Sequence, residues 1–366
     1  MEYKVRFVNP QKHYQDHRDE YLAAIDDVLT RGDLMMRQDV ADFEESIAKM
    51  VGVSHAIGMN SGTDTMFFAL KGLGIGPGDE VITVSHTFVA SMSVVVNCGA
   101  KLVLVDVGND FLINPDLIEA AITEKTKAII PVHLNGRVCD MEKIMEIAKK
   151  HNLVVIEDAA QSLGAKFKGK MAGSFGVVGS FSMYPFKGLG CFGDGGMLVV
   201  NDEELHEYIR LLRDHGQKTK TEIVLFGWNS RLDNLHAAVL NVKLKYFPSW
   251  IERRRQIAKM YDEGLANISQ ITTPPKQDED HFDTYQNYVL RAQKRDELAE
   301  YLKEQGVETL IKDRVANHKH PKLGLDHYSL PVTEQLADEV ISLPLYVELD
   351  DEGVQYVIEQ VRKFYE

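Results

Sequence analysis

Apolar positions recur along this chain at two spacings, and the change from one to the other outlines its architecture. Tyr14, Tyr21, Leu22, Ile25, Val28 and Leu29 fall at helical spacing and predict an amphipathic helix over 14–29. Val40, Phe43, Ile47 and Met50 predict a second over 39–50. From His55 onward, short apolar runs alternate with helical stretches. The runs predict strands at 55–59, 80–84, 101–106, 128–132, 153–157, 177–183 and 196–200. Helices are predicted between them at 65–73, 88–97, 115–122, 141–151 and 202–214. Buried-type strands joined by crossovers of helical length imply an α/β fold with a mainly parallel sheet flanked by helices.

Beyond Asn229 the texture changes. One long helical pattern covers 232–260, with an interruption near Pro248, and a Pro- and charge-rich loop follows over 272–283. A strand at 285–291 and helices at 295–305 and 354–364 complete a smaller C-terminal α+β part. The expected division is a large domain, 1–245, and a small one, 246–366, which suits a chain of 366 residues.

Composition narrows the function classes. A formal charge of −14 weighs against nucleic acid or an anionic membrane as partner. The basic run Arg253-Arg-Arg255 reads as a solvated helix face. Three widely spaced cysteines without a CxxC pair read as reduced thiols, not a disulfide frame or zinc site. His13 and His17 lie four apart, but no carboxylate or cysteine motif accompanies them, so no metal centre is expected. The first residues lack an apolar signal-peptide core, and no apolar run is long enough to span a bilayer. A cytoplasmic location follows as the expectation.

The candidate chemistry centres on Lys187, which sits after a strand-like run and before the glycines of Gly193-Asp-Gly-Gly196. Upstream, Glu157-Asp-Ala-Ala-Gln161 closes another apolar strand. A lysine beside an aspartate at a strand end suits a Schiff-base cofactor such as pyridoxal 5'-phosphate. That cofactor needs an amine for its aldehyde, a carboxylate for its ring nitrogen, backbone donors for its phosphate and an aromatic lid. Asp158 can supply the carboxylate, although it could equally cap the next turn. Ser61-Gly62-Thr63 can cradle an anion at a helix start, or serve as an ordinary N-cap. Ser182 can add a hydroxyl, Phe88 can stack or join the core, and Asn229 lies in a polar loop cluster.

Taken in order, these residues resemble the fold-type-I pyridoxal-phosphate sugar aminotransferases of the DegT/DnrJ/EryC/StrS group. The resemblance rests on Asn60-Ser-Gly-Thr-Asp64, His86-Thr-Phe-Val-Ala90, Pro131-Val-His-Leu134 and Glu157-Asp-Ala-Ala-Gln-Ser-Leu-Gly-Ala165. Gly173-Ser-Phe-Gly176, Arg213-Asp-His-Gly216, Trp228-Asn-Ser-Arg-Leu-Asp233 and Pro331-Val-Thr-Glu334 extend it almost to the C-terminus. It implies that Lys187 carries the cofactor and that Asp158 partners the ring nitrogen. Gln161 would contact the ring hydroxyl, and Gly62, Thr63 and Ser182, beside Ser61, would hold the phosphate. Phe88 would stack on the ring, and Asn229 would reach the phosphate of a neighbouring subunit, giving a homodimer with composite sites. The implied reaction takes an amino group from glutamate to a keto-sugar, for polysaccharide or lipopolysaccharide biosynthesis. Relatives with histidine in place of the lysine act as dehydratases, and Lys187 argues against that branch.

The departures from the group's pattern concern the acceptor. Arg37-Gln38 replaces a Gly-Pro pair, Leu134-Asn-Gly-Arg137 replaces Leu-Tyr-Gly, and 310–320 lacks a His-Tyr-Pro tripeptide. Arg37, Arg137, Lys312 and Arg314 could hold a diphosphate or a sugar-acid carboxylate, with His215 and Arg231 as further candidates. A nucleotide-linked keto-deoxyhexose is the favoured acceptor, and an acidic keto-sugar such as 8-oxo-Kdo, giving 8-amino-Kdo, is the alternative. A cofactor-binding but non-catalytic regulator is the reading from another class. It would not need both Lys187 and an intact Asp158–Gln161 segment, and it would call for a basic surface.

Overall fold

A computed structural model describes residues 3–366. Its centre is a seven-stranded sheet of β1 (His55–Met59), β2 (Glu80–Val84), β3 (Lys101–Val105), β4 (Thr126–Ile129), β5 (Val154–Asp158), β6 (Val178–Ser182) and β7 (Gly196–Val200). The spatial order is β1-β7-β6-β5-β4-β2-β3. Pairs β2–β3, β2–β4, β4–β5 and β5–β6 are parallel, while β7 runs antiparallel to both β1 and β6. All strands but β7 therefore point the same way, and their C-terminal ends share one edge. Helices cover both faces, which is why β2 and β7 are buried along their whole length.

The helices that bear on the site are α1 (Gln38–Val51), α2 (Gly62–Gly72), α3 (Ala90–Asn97), α4 (Glu203–Arg213), α5 (Asn234–Leu244) and α6 (Phe247–Leu265). The pattern over 232–260 is two helices, parted at Lys245–Tyr246, with Pro248 in the first turn of α6 where its missing N–H costs nothing. The strand expected at 128–132 stops at Ile129, because Pro131 has no N–H for the ladder. The first helix divides at His17 into Pro10–Asp16 and Arg18–Arg31.

The C-terminal part holds a three-stranded antiparallel sheet of Ile271–Thr272, Tyr288–Ala292 and Val340–Leu343. The proposed boundary at 245/246 falls in the break between α5 and α6. Phe247, Trp250 and Ile251 at the start of α6 nevertheless belong to the core of the large sheet. Asp106, just past β3, fastens the two parts by accepting from Val332 N–H (2.8 Å), Thr333 N–H (2.9 Å) and Thr333 Oγ1 (2.7 Å). It thereby caps the helix Pro331–Glu339 from outside that helix.

The β5 terminus is fixed by Glu157, which is fully buried. Its carboxylate accepts from the backbone N–H groups of Gly173 (2.7 Å), Phe175 (2.6 Å) and Gly176 (2.6 Å). His133 Nδ1 accepts from Cys139 N–H, so Nε2 carries the proton and donates to Glu157 across 2.9 Å. Four donors hold one side chain, and its neighbour Asp158 is aimed as a result. Glu157→Gln puts an amide N–H₂ against some of these donors and is expected to cost about 3 kcal/mol of stability. Glu142→Gln, which loses only an exposed pair with Lys168, should cost within about 1 kcal/mol. Denaturant midpoints of the two variants check this.

Candidate active site

The shared strand edge opens into a cavity of about 620 Å³. Ser61, Gly62 and Thr63 reach it from the end of β1, Phe88 from beyond β2, Asp158 and Gln161 from β5, and Ser182 and Lys187 from β6. Lys312 closes it from the C-terminal part. A crevice at the carboxyl ends of parallel strands is where open α/β sheets bind ligands.

Asp158 is buried, with Oδ2 accepting from Ser91 Oγ (2.6 Å) and Oδ1 from Ala160 N–H (3.2 Å). Ser91 is itself steadied by Thr87 Oγ1 at 2.8 Å. Among the described residues no cation pairs with this carboxylate, and a buried charge in that condition calls for one.

Lys187 lies on a turn closed by its own N–H to Tyr184 O (2.9 Å). Gln286 grips that turn on both sides of the lysine, accepting from Gly188 N–H (2.8 Å) and donating to Phe186 O (2.8 Å). The amine has no hydrogen-bond partner among the described residues. Burial lowers its pKa to about 8, assisted by the Lys312 cation and opposed by Asp158. Near neutral pH the amine can therefore both take up and release a proton.

The start of α2 supplies anion donors. Ser61 Oγ is the N-cap, accepting from Asp64 N–H at 3.1 Å, so the capping role holds for that side chain. The N–H groups of Gly62 and Thr63 find no acceptor among the described residues, as expected in the first turn of a helix. Two glycines make this approach possible. A Cβ on Gly196 would stand 2.3 Å from the Ser61 backbone, and one on Gly62 would stand 2.9 Å from Ser182 Cβ.

Phe88 is 57% exposed, with its ring on the cavity and Lys312 Nζ 5.8 Å from the ring centroid. Burial lowers the pKa of Lys312. Gln161 is oriented by accepting from Asn135 N–H at 2.9 Å.

Six other candidates stand outside the cavity lining. Arg137 is occupied by Asp283 (2.6 Å) and Asp278 (3.1 Å). Arg37 precedes α1 beside Asp33, and Arg314 pairs with Asp296 on the surface. Arg231 pairs with Asp214. His215 is exposed on a left-handed turn residue, and Asn229 is exposed on a bridge to Asp214. Sequence reasoning missed Ser91 and Gln286. Ser91 directly follows His86-Thr-Phe-Val-Ala90 and could have been noticed there, whereas nothing in the sequence around Gln286 announces its grip.

The model of the DegT/DnrJ/EryC1/StrS aminotransferase family matches residues 15–362. A Geobacillus stearothermophilus protein named pleiotropic regulatory protein is 42% identical, over 99% of this chain and 98% of its own. The dTDP-3-amino-3,4,6-trideoxy-alpha-D-glucose transaminase of Streptomyces venezuelae is 40% identical, over 99% of this chain and 97% of its own. Among solved structures, NtdA from Bacillus subtilis, with bound cofactor PMP, superimposes with a TM-score of 0.92 at 30% identity. That match covers 98% of this chain and 85% of the other.

The position of Lys187 makes its titration measurable. In protein stripped of bound small molecules, carbamylation of Lys187 by cyanate, followed by peptide mass spectrometry, should reach half its limiting rate near pH 8, not 10.5. The neutral amine reacts, so the rate rises with pH. Lys312→Ala removes a neighbouring cation and should move the midpoint upward.

Proposed function

The chain belongs to the DegT/DnrJ/EryC1/StrS aminotransferase family, and from that premise we propose a pyridoxal 5'-phosphate-dependent transfer of an amino group from L-glutamate to a nucleotide-linked keto-deoxyhexose. The observation that carries this reading is a pair of groups in one cavity, the Asp158 carboxylate without a cation and the Lys187 amine without a hydrogen-bond partner among the described residues. A cofactor with a cationic ring nitrogen and an aldehyde satisfies both, and its phosphate suits the free N–H groups of Gly62 and Thr63.

Lys187 would hold the aldehyde carbon, Asp158 the ring nitrogen, and Gly62, Thr63 and Ser182 the phosphate. Phe88 would cover the ring and Gln161 would lie near its hydroxyl. When bound, the cofactor supplies an electron sink that makes the α-hydrogen of an amino acid removable. Lys187, with its lowered pKa, takes that proton and returns it, serving as base and acid in turn. Gln286 keeps the lysine turn in place while the amine moves. Lys312 offers a cation to an anionic part of the acceptor.

A second subunit completes the site in this reading. Asn229 lies beside Phe226, which is 98% exposed, and Trp228, an apolar surface of the kind a partner covers. The product would serve bacterial polysaccharide or lipopolysaccharide assembly in the cytoplasm. An acidic keto-sugar such as 8-oxo-Kdo remains the second reading, since Lys312 in the cavity could pair with a carboxylate as well as with a diphosphate. The regulatory reading draws on the name of the Geobacillus relative, but a regulator has no need of a lysine tuned to about 8 beside a buried acid.

The purified protein should be yellow, bleach with glutamate and recover with a 2-keto acid. Lys187→Ala should lose both the colour change and activity, by roughly 10²–10⁴-fold or more. A protein that stays colourless with added pyridoxal phosphate, or a Lys187→Ala variant that still transaminates, would sink the reading. Gly196→Ala should weaken cofactor binding at least about tenfold, equivalent to about 1.4 kcal/mol, through displacement of the Ser61–Gly62 backbone. Coupled assays on nucleotide-linked keto-sugars and on free keto-octulosonate separate the two acceptor readings.

A further inference from the structure

Away from the catalytic edge, at the opposite end of β1, three potential metal ligands converge. His55 opens β1, and Glu203 and His206 lie in the first turn of α4, three residues apart and so on one face of that helix. Asp202 caps the turn by accepting from Leu205 N–H at 2.8 Å, which fixes its geometry. His55 Nε2 is 2.8 Å from Glu203 Oε2. The two imidazoles lie almost parallel, 10° apart, with centroids separated by 4.2 Å. One donor atom from each of the three residues falls within 4.8 Å of the others.

The informative atom is His206 Nδ1. It is buried and has no hydrogen-bond partner among the described residues, where the nearest carboxylate oxygens, on Glu207 and Glu203, lie at 3.6 and 3.8 Å. A buried ring nitrogen without a partner is costly, and a bound ion would satisfy it. A groove passing Glu45, His55 and His206 opens to solvent and gives an ion a way in. Glu44 is not a ligand candidate, because its Oε1 already accepts from Gly58 N–H and Arg213. The other histidine pair of the sequence is committed elsewhere: His13 Nδ1 is 2.6 Å from Glu348, and both rings pack around Trp250.

We infer that His55, Glu203 and His206 form a site for one divalent transition-metal ion of the Zn²⁺ class, tying the edge strand β1 to α4. Two imidazoles and a carboxylate are the donor set such ions prefer, and solvent can fill the fourth position. Metal–ligand bonds of about 2.0–2.2 Å require donors about 3.3 Å apart, so the stacked imidazoles would turn out of their parallel arrangement to aim their ring nitrogens at one ion. The ion would bridge β1 and α4 and take no part at the catalytic edge. Some six residues of extended chain, roughly 20 Å, separate His55 from the Ser61 cradle.

The test uses the full-length protein loaded with its cofactor. Equilibrium dialysis against zinc, with metal analysis, should find one high-affinity ion per chain, and zinc should raise the unfolding temperature. Glu203→Gln and His206→Gln should each lower that affinity at least about tenfold and abolish the thermal shift, with transamination unchanged. Glu203 is on the surface, so its variant gives the answer even if His206→Gln folds poorly. His13→Ala serves as the control and should bind zinc like the parent. Absence of stoichiometric binding at micromolar zinc overturns the inference, and so does zinc binding that survives both substitutions.

Discussion

Among the described residues, the buried carboxylate of Asp158 receives two hydrogen bonds and no cation, and the rest of the site depends on that imbalance. An isolated charge held in a low-dielectric interior is tolerated only where something else will neutralise it. Lys187 faces the same cavity with the complementary deficit, an amine moved toward neutrality by burial. Each group is unfavourable alone. Together they suit the proposed cofactor, which is cationic at one end and electrophilic at another.

The sheet converts this chemistry into geometry. Parallel strands deliver Ser61, Asp158 and Ser182 to one edge, and the antiparallel insertion of β7 places Gly196 against the Ser61 backbone, where a side chain would not fit. Glu157 then fixes the end of β5 by drawing the 173–176 turn and His133 onto one buried carboxylate. The C-terminal part contributes through contact, not through its own motif. Gln286 clasps the lysine turn, Lys312 closes the cavity, and Asp106 anchors the helix that follows.

How much of this was legible in the sequence follows from how local each signal is. The strand–helix alternation through residue 214 was readable because buried parallel strands are continuous apolar runs. The shared placement of Asp158, Lys187 and Ser61–Thr63 on one cavity was readable because strand ends and glycine-rich turns bear them in short motifs. The errors came from long-range or backbone causes: Pro131 ending β4 early, and Val340–Leu343 becoming a strand only by pairing with Tyr288–Ala292. Arg137 illustrates the limit for single charges. Its residue type suited an anionic acceptor, yet Asp283 and Asp278, more than a hundred residues away, occupy it. Gln286 was invisible for the same reason, since its partners are backbone atoms of a distant turn.

The central claim is that Asp158 is kept unpaired so that it can hold a protonated ring nitrogen. Nitrogen-15 NMR of the protein loaded with ring-labelled pyridoxal phosphate reads that protonation directly. The account predicts a ring nitrogen that stays protonated across neutral pH in the parent protein and loses its proton in Asp158→Asn. A ring nitrogen with the same protonation state in both proteins would contradict it.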